Sequence, residues 1–341
     1  GIFEKIILKR EIKMNEAGIL RYLPPPPAGT VGVIGDFCTD VYWEIRPDLG
    51  ETSIETGLKT TPVPVARYSP GGAGNIVANL RGLGLQAIPC FGAVGCDPFG
   101  LWLHQELTGG DAAFAEGLLK VAREGFHTPV YCKPLLDGRE GSRFDLGNHP
   151  LTDCETEKIM DVLEEKAETL RVLIVNEQLV HGLHSVCFRR LFADFVRRHR
   201  KTIRFVFDGR DFLDAYPGVT LKINHEAASR LAFGEDGHAP EAAGMRIFEK
   251  TGEEMVITHG EQGCYVFTAD GVKHIPAIRY AGEVDTVGAG DSFSAGMAYA
   301  LANGATLHES AEFGTCCSAI TIRKLNCTGA PSPEEMLALF A

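Results

Sequence analysis

In the stretch DTVGAGDSF, Asp285 and Asp291 bracket a run of small residues, Gly288, Ala289 and Gly290, and a hydrophobic pattern follows at once. Phe293, Met297, Ala300 and Leu301 recur at i, i+4, i+7 and i+8, one face of a helix. Asp291 is therefore expected in the first turn, with Gly288–Gly290 as the loop leading in. A helix N-terminus presents unpaired N–H groups and a partial positive charge, and small residues let a phosphate approach the backbone closely. The loop is a candidate anion hole. The same field is expected to favour the ionised form of Asp291, a carboxylate ready to accept a proton. An anion hole touching a general base is the apparatus for moving a phosphoryl group onto a hydroxyl: the base takes the alcohol proton and the amides hold the charge on the moving group. The plainer reading is an Asp that caps a helix behind a tight glycine turn.

A second constellation lies upstream. YSPGGAGNIVANLRGLG places Gly71 and Gly72 ahead of Asn75 at another helix start. Glycines there let a polyol approach the backbone, and Asn75 offers hydroxyls both a donor and an acceptor. GDFCTD ends the first strand with Asp36 and Asp40, and open parallel sheets bind ligands just beyond such strand ends. Acids beside an amide suit the hydroxyls of a sugar. The chain has no G-x-x-x-x-G-K-[ST], no G-x-G-x-x-G after a strand, no G-x-S-x-G and no H-E-x-x-H. A phosphotransferase built on these residues is not a P-loop enzyme.

Together with DTVGAGDSFSAG, these motifs resemble the ribokinase-like (PfkB) carbohydrate kinases, over about residues 30–333. The resemblance implies ATP-dependent phosphorylation of a sugar hydroxyl on a Rossmann-like three-layer α/β/α sandwich, with a central, mostly parallel sheet and a small β-sheet lid. It makes Asp291 the catalytic base and Gly288, Ala289 and Gly290 the anion hole. It assigns Asp40, Gly71, Gly72 and Asn75, with Asp36, to the sugar. VITHGEQG resembles the family's nucleotide strand and turn, which brings in Thr258, Gly260 and Gly263, and Thr315 falls where adenine often packs. Asp285 matches the acid that helps bind a monovalent cation such as K+ in many members. ATP and Mg2+ are the implied cofactors. The family usually shows N-x-x-E where a Glu positions magnesium-linked phosphate, but KINHEAA gives Asn224 and Glu226, one residue short, with Ala227 in the expected place. Asn224 is expected at the nucleotide; Glu226 either substitutes with altered geometry or yields to a water.

TPVPVARYSPGGAGN, GSRFDLG and VFDGRDFLDAYPGVTLKINHE also resemble the heptose-7-phosphate kinases of lipopolysaccharide precursor synthesis. On that likeness Arg143 faces the sugar or its phosphate, because a guanidinium binds phosphate bidentately; the bland alternative is an arginine on solvent. Against it, VNEQLVHG carries Asn176 and Glu177 where Asp-Tyr-x-Lys-Gly is expected. The sugar stays open. A rival from another class is a catalytically impaired sugar- or nucleotide-sensing protein on the same fold, which the irregular N-x-E favours and the intact base and anion hole disfavour.

The elements that must position these residues are legible in outline. The chain has 341 residues, 45% hydrophobic and 23% charged, an ordinary globular composition with ample core. Its 33 basic against 45 acidic residues, net −12, argue against a nucleic-acid or anionic-membrane surface. The expected organisation is an N-terminal extension, 1–29, closed by PPPP, then a kinase domain, 30–341. TVGVIGDF, RVLIV, RFVFDG, VTLKIN and EMVITHG read as strands alternating with helical segments, which implies a parallel sheet with helices on both faces. Two β-rich inserts, about 38–69 and 126–149, interrupt the rhythm and are expected to form the lid, through which a homodimer is an option. No apolar run is long enough for a membrane span, and no signal peptide is apparent. The 10 cysteines show no C-x-x-C and are expected to be buried, reduced thiols in a cytoplasmic protein. His181 and His184 form H-x-x-H without a third ligand and read as surface or capping histidines. RRLFADFVRRHRK reads as the solvated face of a helix whose Leu191, Phe192, Phe195 and Val196 pack on the sheet.

Overall fold

The computed structural model describes residues 16–109, 116–147, 149–325 and 329–340. Most of the expected N-terminal extension, and Cys327, lie outside these residues. After a short helix, α1 (Glu16–Leu20), the chain enters β1 (Val31–Gly35) and, one residue later, β2 (Phe37–Glu44). There follow β3 (Val65–Gly72), α2 (Ala73–Gly82), β4 (Cys90–Gly95), α3 (Pro98–Thr108), β5 (Leu118–Val121), β6 (Val130–Leu136), β7 (Arg139–Glu140) and β8 (Phe144–Leu146). The second half runs α4 (Asp153–Lys166), β9 (Val172–Asn176), α5 (Val186–His199), β10 (Arg204–Asp208), β11 (Thr220–Asn224), α6 (His225–Phe233), α7 (Pro240–Thr251) and β12 (Met255–Thr258). It closes with β13 (Cys264–Thr268), β14 (Gly271–Ile275), α8 (Ala289–Ala302), α9 (Leu307–Thr321) and α10 (Pro333–Ala338).

Nine strands form the large sheet, in the order β14-β13-β12-β11-β10-β9-β1-β4-β5. Pairing is parallel from β5 through β12 and antiparallel only in the terminal β12-β13-β14 meander. The central strands are apolar on both faces, as parallel strands under two helical layers must be. Val33, Ile174, Val206 and Val256 point into a core shared with Ile76 and Leu80 of α2, Met297 and Tyr299 of α8 and Phe313 of α9. The alternate residues Ile34, Leu173, Phe205 and Ile257 meet Leu163 of α4, Phe188, Phe192 and Phe195 of α5 and Ile247 of α7. Each such side chain contributes about 1.5–3 kcal/mol by leaving water. The expected three-layer sandwich is borne out. Local signals fix the helix starts: Asp97 accepts from the amides of Phe99 and Gly100 ahead of Pro98, and Thr152 and Glu155 form a capping box.

A separate smaller sheet has the order β3-β2-β6-β7, with β8 also on β6. It grows from the end of β1 because the chain turns at Asp36 straight into β2.

Three local expectations need revision. Helix α8 begins at Ala289, with Gly288 as its N-cap at φ +78°, so Ala289 and Gly290 belong to the first turn rather than to a leading loop. His184 is not a surface residue. It is 5% exposed, bonded through Nδ1 to the Tyr216 hydroxyl (2.7 Å) and through Nε2 to the Asn176 carbonyl (3.0 Å), among the rings of Phe188, Phe207 and Phe212. Burial holds its pKa below the usual value, so it is a neutral core histidine. The thiols are not all buried: Cys96 and Cys154 are exposed and Cys187 is half-buried. The basic segment at 189–201 matches expectation, with Phe192, Phe195 and Val196 buried, Leu191 half-buried, and Arg198 and His199 both paired to Glu164. No helix among the described residues is long and apolar enough to cross a membrane.

Candidate active site

A cleft of about 400 Å³ lies over the carboxyl ends of β9 to β12, between them and the smaller sheet. Gly288, Gly290 and Asp291 form its floor at the start of α8. No side chain caps this helix, and although the Ala289 amide donates to the Thr286 carbonyl at 3.2 Å, a helix start beside the cleft floor is a ready anion site. The Asp291 carboxylate does not serve its own helix. Oδ2 accepts from Asn75 Nδ2 at 2.6 Å and Oδ1 from Gln178 Nε2 at 3.3 Å, two donors from other elements. The plain capping reading therefore fails on geometry. The expected effect of the helix field also fails: burial, reinforced by the charge of Asp208, pushes the Asp291 pKa up to about 6, against the opposing pull of Asn75 and Lys222. A carboxyl at that value is still mostly ionised at neutral pH and is a stronger proton acceptor than an exposed one.

Lys222, on buried β11, reaches beneath the floor. Its Nζ lies 3.2 Å from the point where a Gly290 side chain would begin, so the glycine lets the ammonium come close to the helix start. Lys222 bonds both oxygens of Asp208 at 3.1 Å, and Ser294 donates to the same carboxylate at 2.5 Å.

At the other end, Asp40 and Lys133 pair at 3.3 Å on adjacent strands of the smaller sheet, and Lys133 also donates to the Tyr42 hydroxyl at 3.3 Å. Burial works against the Lys133 ammonium, but Asp40 and Tyr42 hold its pKa above the usual value. Arg143 lines the cleft rather than solvent alone; it grips Asp145 with two bonds (2.6 and 2.7 Å) and lies over the Tyr131 ring at 4.2 Å. Arg210 adds a third cation to this wall.

Asp36 has to be withdrawn from the sugar. It is 3% exposed, absent from the cleft wall, and accepts from the amides of Gln178 (2.8 Å), Leu179 (2.9 Å) and Leu183 (2.7 Å). It clamps the loop after β9 and so places the Gln178 side chain against Asp291. Gly72 lines the cleft at φ +56°, and a Cβ there would sit 2.3 Å from the Asp36 carbonyl; Gly71 packs behind it on Cys38 and Asp40, outside the wall.

Of the expected nucleotide residues, Asn224 and Thr258 line the cleft. Asn224 caps α6 by accepting from the Ala227 amide at 2.7 Å, and Thr258 donates to the Ile223 carbonyl at 3.3 Å. Gly260 and Gly263 flank a short 3-10 turn beyond the wall. Thr315 is buried in α9 with its hydroxyl on the Ala311 carbonyl (2.9 Å), away from the cleft. Glu226 is exposed in the first turn of α6 and takes no part in the wall, and Ala289 lies behind Gly288 and Gly290. Asp285 accepts from the Val287 amide at 3.0 Å, likewise off the wall. Among the described residues no group of three or more His, Cys, Asp or Glu side chains could hold a metal.

Residues that sequence reasoning missed also belong to the site, among them Gln178, Asp208, Arg210, Lys222 and Lys133. Lys222 did leave a trace, a lysine inside the otherwise apolar strand TLKIN, and Asp208 ends its strand as Asp36 follows β1.

Residues 208–335 match the family described as "pfkB family carbohydrate kinase". The bifunctional protein HldE of Hyphomonas neptunium is 28% identical over 294 residues, covering 82% of this chain and 58% of HldE. HldE of Geobacter metallireducens is 29% identical over 314 residues, covering 89% of this chain and 61% of its own length. This chain thus spans about three fifths of the length of these curated relatives. The structure of Arabidopsis thaliana ribokinase complexed with ribose and ATP matches with a TM-score of 0.67 at 20% identity, covering 93% of this chain and 99% of that one. The expected likeness to PfkB carbohydrate kinases, with its leaning toward heptose kinases, is borne out by this match and these relatives, which point to a carbohydrate kinase.

Proposed function

We propose that this ribokinase-like carbohydrate kinase transfers the terminal phosphoryl group of ATP to a hydroxyl of a sugar or sugar phosphate, with Asp291 as general base and the Gly288–Gly290 turn as anion hole. The observation that carries the reading is the Asp291 carboxylate itself: it opens an uncapped helix, faces the cleft, and is oriented by Asn75 and Gln178 rather than by its own backbone. In this account the acceptor hydroxyl lies against Asp291, which takes its proton as the oxygen–phosphorus bond forms. The α8 amides and the Lys222 ammonium hold the charge on the moving group, and ADP leaves on the Asn224 and Thr258 side.

ATP suits the cleft because the start of α8 and the Lys222 ammonium both line it, donors of the kind a phosphate needs. The metal side of the resemblance fits less well. Glu226 lies off the wall and no cluster of ligands is present among the described residues. No step is therefore derived through Mg2+ or through K+ at Asp285.

The smaller sheet, from the segments at about 38–69 and 126–149, acts as the lid over the acceptor, within one domain at 30–341 behind an extension at 1–29. Lys133, Arg143 and Arg210 gather positive charge around Asp40, which favours an acceptor already carrying a phosphate. The protein works in the cytoplasm, a reading that the exposed, free thiols of Cys96 and Cys154 support. The sensor alternative draws on the displaced Glu226. ADP release measured across a panel of sugars and sugar phosphates separates the two. Acceptor-dependent release, fastest with sugar phosphates, is expected; measurable ligand binding with no turnover on any member would favour the sensor.

A further inference from the structure

Two buried carboxylates lace the strand ends beneath the cleft together. Gly35 of β1, Asn176 of β9 and Asp208 of β10 stand in register where their strands stop. One residue past this row the chain carries Asp36 after β1 and Glu177 after β9, 3% and 2% exposed. Each reaches sideways into the loop that follows the neighbouring strand. Asp36 accepts from the amides of Gln178, Leu179 and Leu183 after β9; Glu177 Oε2 accepts from those of Arg210 (2.7 Å) and Asp211 (2.9 Å) after β10. The backbone passes close at both places. A Cβ on Gly182 would collide with Asp36 Oδ1, and one on Gly209 would come within 2.9 Å of Glu177 Oε2. An ionised acceptor bonds N–H groups more strongly than a neutral one, so each carboxylate holds its loop firmly. The two loops carry different side chains into the site. Gln178 donates to Asp291 Oδ1 at 3.3 Å, whereas Arg210 lines the cleft with Lys133 and Arg143.

We propose that Asp36 and Glu177 are positioning residues with separate tasks: Asp36 sets Gln178 and through it the orientation of the Asp291 carboxylate, and Glu177 sets Arg210 and through it the seat of the acceptor. This inference rests on the reading of Asp291 as base and of the cationic wall as the acceptor's side. Asp36 has a second hold on the base. Its carbonyl accepts at 2.8 Å from the amide of Ala73, the first residue of α2, and two residues on Asn75 donates to Asp291 Oδ2. Both donors to the base are thereby referenced to one residue. A carboxylate held by one donor on each oxygen presents a fixed lone pair to the hydroxyl. Misplacing it slows proton transfer and leaves substrate binding largely as it was. Misplacing Arg210 weakens the grip on the acceptor and leaves the base in place.

The test combines amide exchange of the ligand-free protein with steady-state phosphoryl transfer to the best acceptor of the sugar and sugar phosphate panel, in Asp36→Asn and Glu177→Gln, with thermal melts to establish folding. In Asp36→Asn, exchange is expected to quicken at Gln178, Leu179 and Leu183 and kcat to fall by about 10- to 100-fold, with both KM values within about threefold of wild type. In Glu177→Gln, exchange is expected to quicken at Arg210 and Asp211 and the acceptor KM to rise by about three- to tenfold, with kcat near wild type. Placed on Gln178→Leu, Asp36→Asn is expected to cost much less kcat than it does in wild type, because the donor it sets is gone. If Asp36→Asn does not fold, Gly182→Ala, which pushes the same loop off the carboxylate, takes its place with the same expected split. Faster exchange with unmoved kinetic constants overturns the proposal. So does a joint change of kcat and KM in both variants, the mark of a general loosening. A raised acceptor KM in Glu177→Gln with exchange unchanged also overturns it, since Glu177 would then touch the acceptor itself. Asp291→Asn, run alongside, separates the two levels. If it abolishes turnover while the split is absent, this inference alone fails; if it retains turnover, the base reading fails and takes the Asp36 half with it.

Discussion

A carboxylate in the first turn of a helix feels opposing influences, the field of the free amides, which lowers its pKa, and withdrawal from water, which raises it. At Asp291 burial and the Asp208 charge win, giving about 6 against an ordinary 3.8. The folded chain therefore binds this proton more tightly than the unfolded chain. That contribution to stability is complete below pH 3.8 and is lost as pH rises through about 6. Removing the charge should recover it: Asp291→Asn is expected to be more stable than wild type at pH 8, by about 1–3 kcal/mol, and level with it near pH 3.5. Thermal melts at the two pH values check this, and a variant less stable at pH 8 would contradict the burial argument. Asp40→Asn, which keeps an acceptor beside Lys133, is expected to raise the acceptor KM by about 1.5–3 kcal/mol of lost binding while ATP affinity stays near wild type. A fall in ATP affinity alone would place the sugar at the wrong end of the cleft. Asp291 was legible in the sequence because its signals are local, a glycine turn followed by helical periodicity. Asp36 was misread because a carboxylate at a strand end looks the same whether it faces a ligand or, as here, three loop amides.

The elements explain why the remaining site residues left so little trace. Gln178, Asp208 and Lys222 come from three segments that meet only because β9, β10 and β11 lie side by side and end together. No spacing along the chain encodes that neighbourhood; it follows from strand order. The strands and helices themselves were readable, since each carries its own period and caps. Gly72 shows how tightly one junction is built. At φ +56°, with the Asp36 carbonyl 2.3 Å from a would-be Cβ, it admits no side chain where β3 passes into α2. Gly72→Ala should lower stability by about 1–3 kcal/mol, seen as a reduced midpoint in urea, and an unchanged midpoint would show that the junction can relax. The smaller sheet carries the lid proposal. Its β3 is exposed over Val65–Tyr68 and held by β2 along one side, so its amides should exchange readily without ligand. Saturating acceptor is expected to slow exchange in β2, β3, β6 and β8 more than in the large sheet. Equal exchange with and without acceptor would remove the lid.

At the scale of the molecule, two helical layers fix a parallel sheet rigidly, and the cleft lies where the carboxyl ends of its strands face the smaller sheet. Ligand placement beyond the carboxyl ends of parallel strands is what such a sheet favours, and the start of α8 lines the cleft beneath them. The whole-chain outline was legible from alternating strand and helix signals; the partition of charge within the cleft was not, because it depends on side chains drawn from both sheets. The chain spans only about three fifths of the HldE proteins it resembles, so its chemistry has to be tested on this chain as it stands. The most direct measurement is steady-state phosphoryl transfer by wild type and by Asp291→Asn, with the best acceptor from the panel. Asn keeps the size and can still accept from Asn75, but it cannot take the hydroxyl proton. The account predicts a fall in kcat of about 10²–10⁴ with folding and ligand binding retained; a folded variant keeping more than about a tenth of wild-type turnover would contradict it.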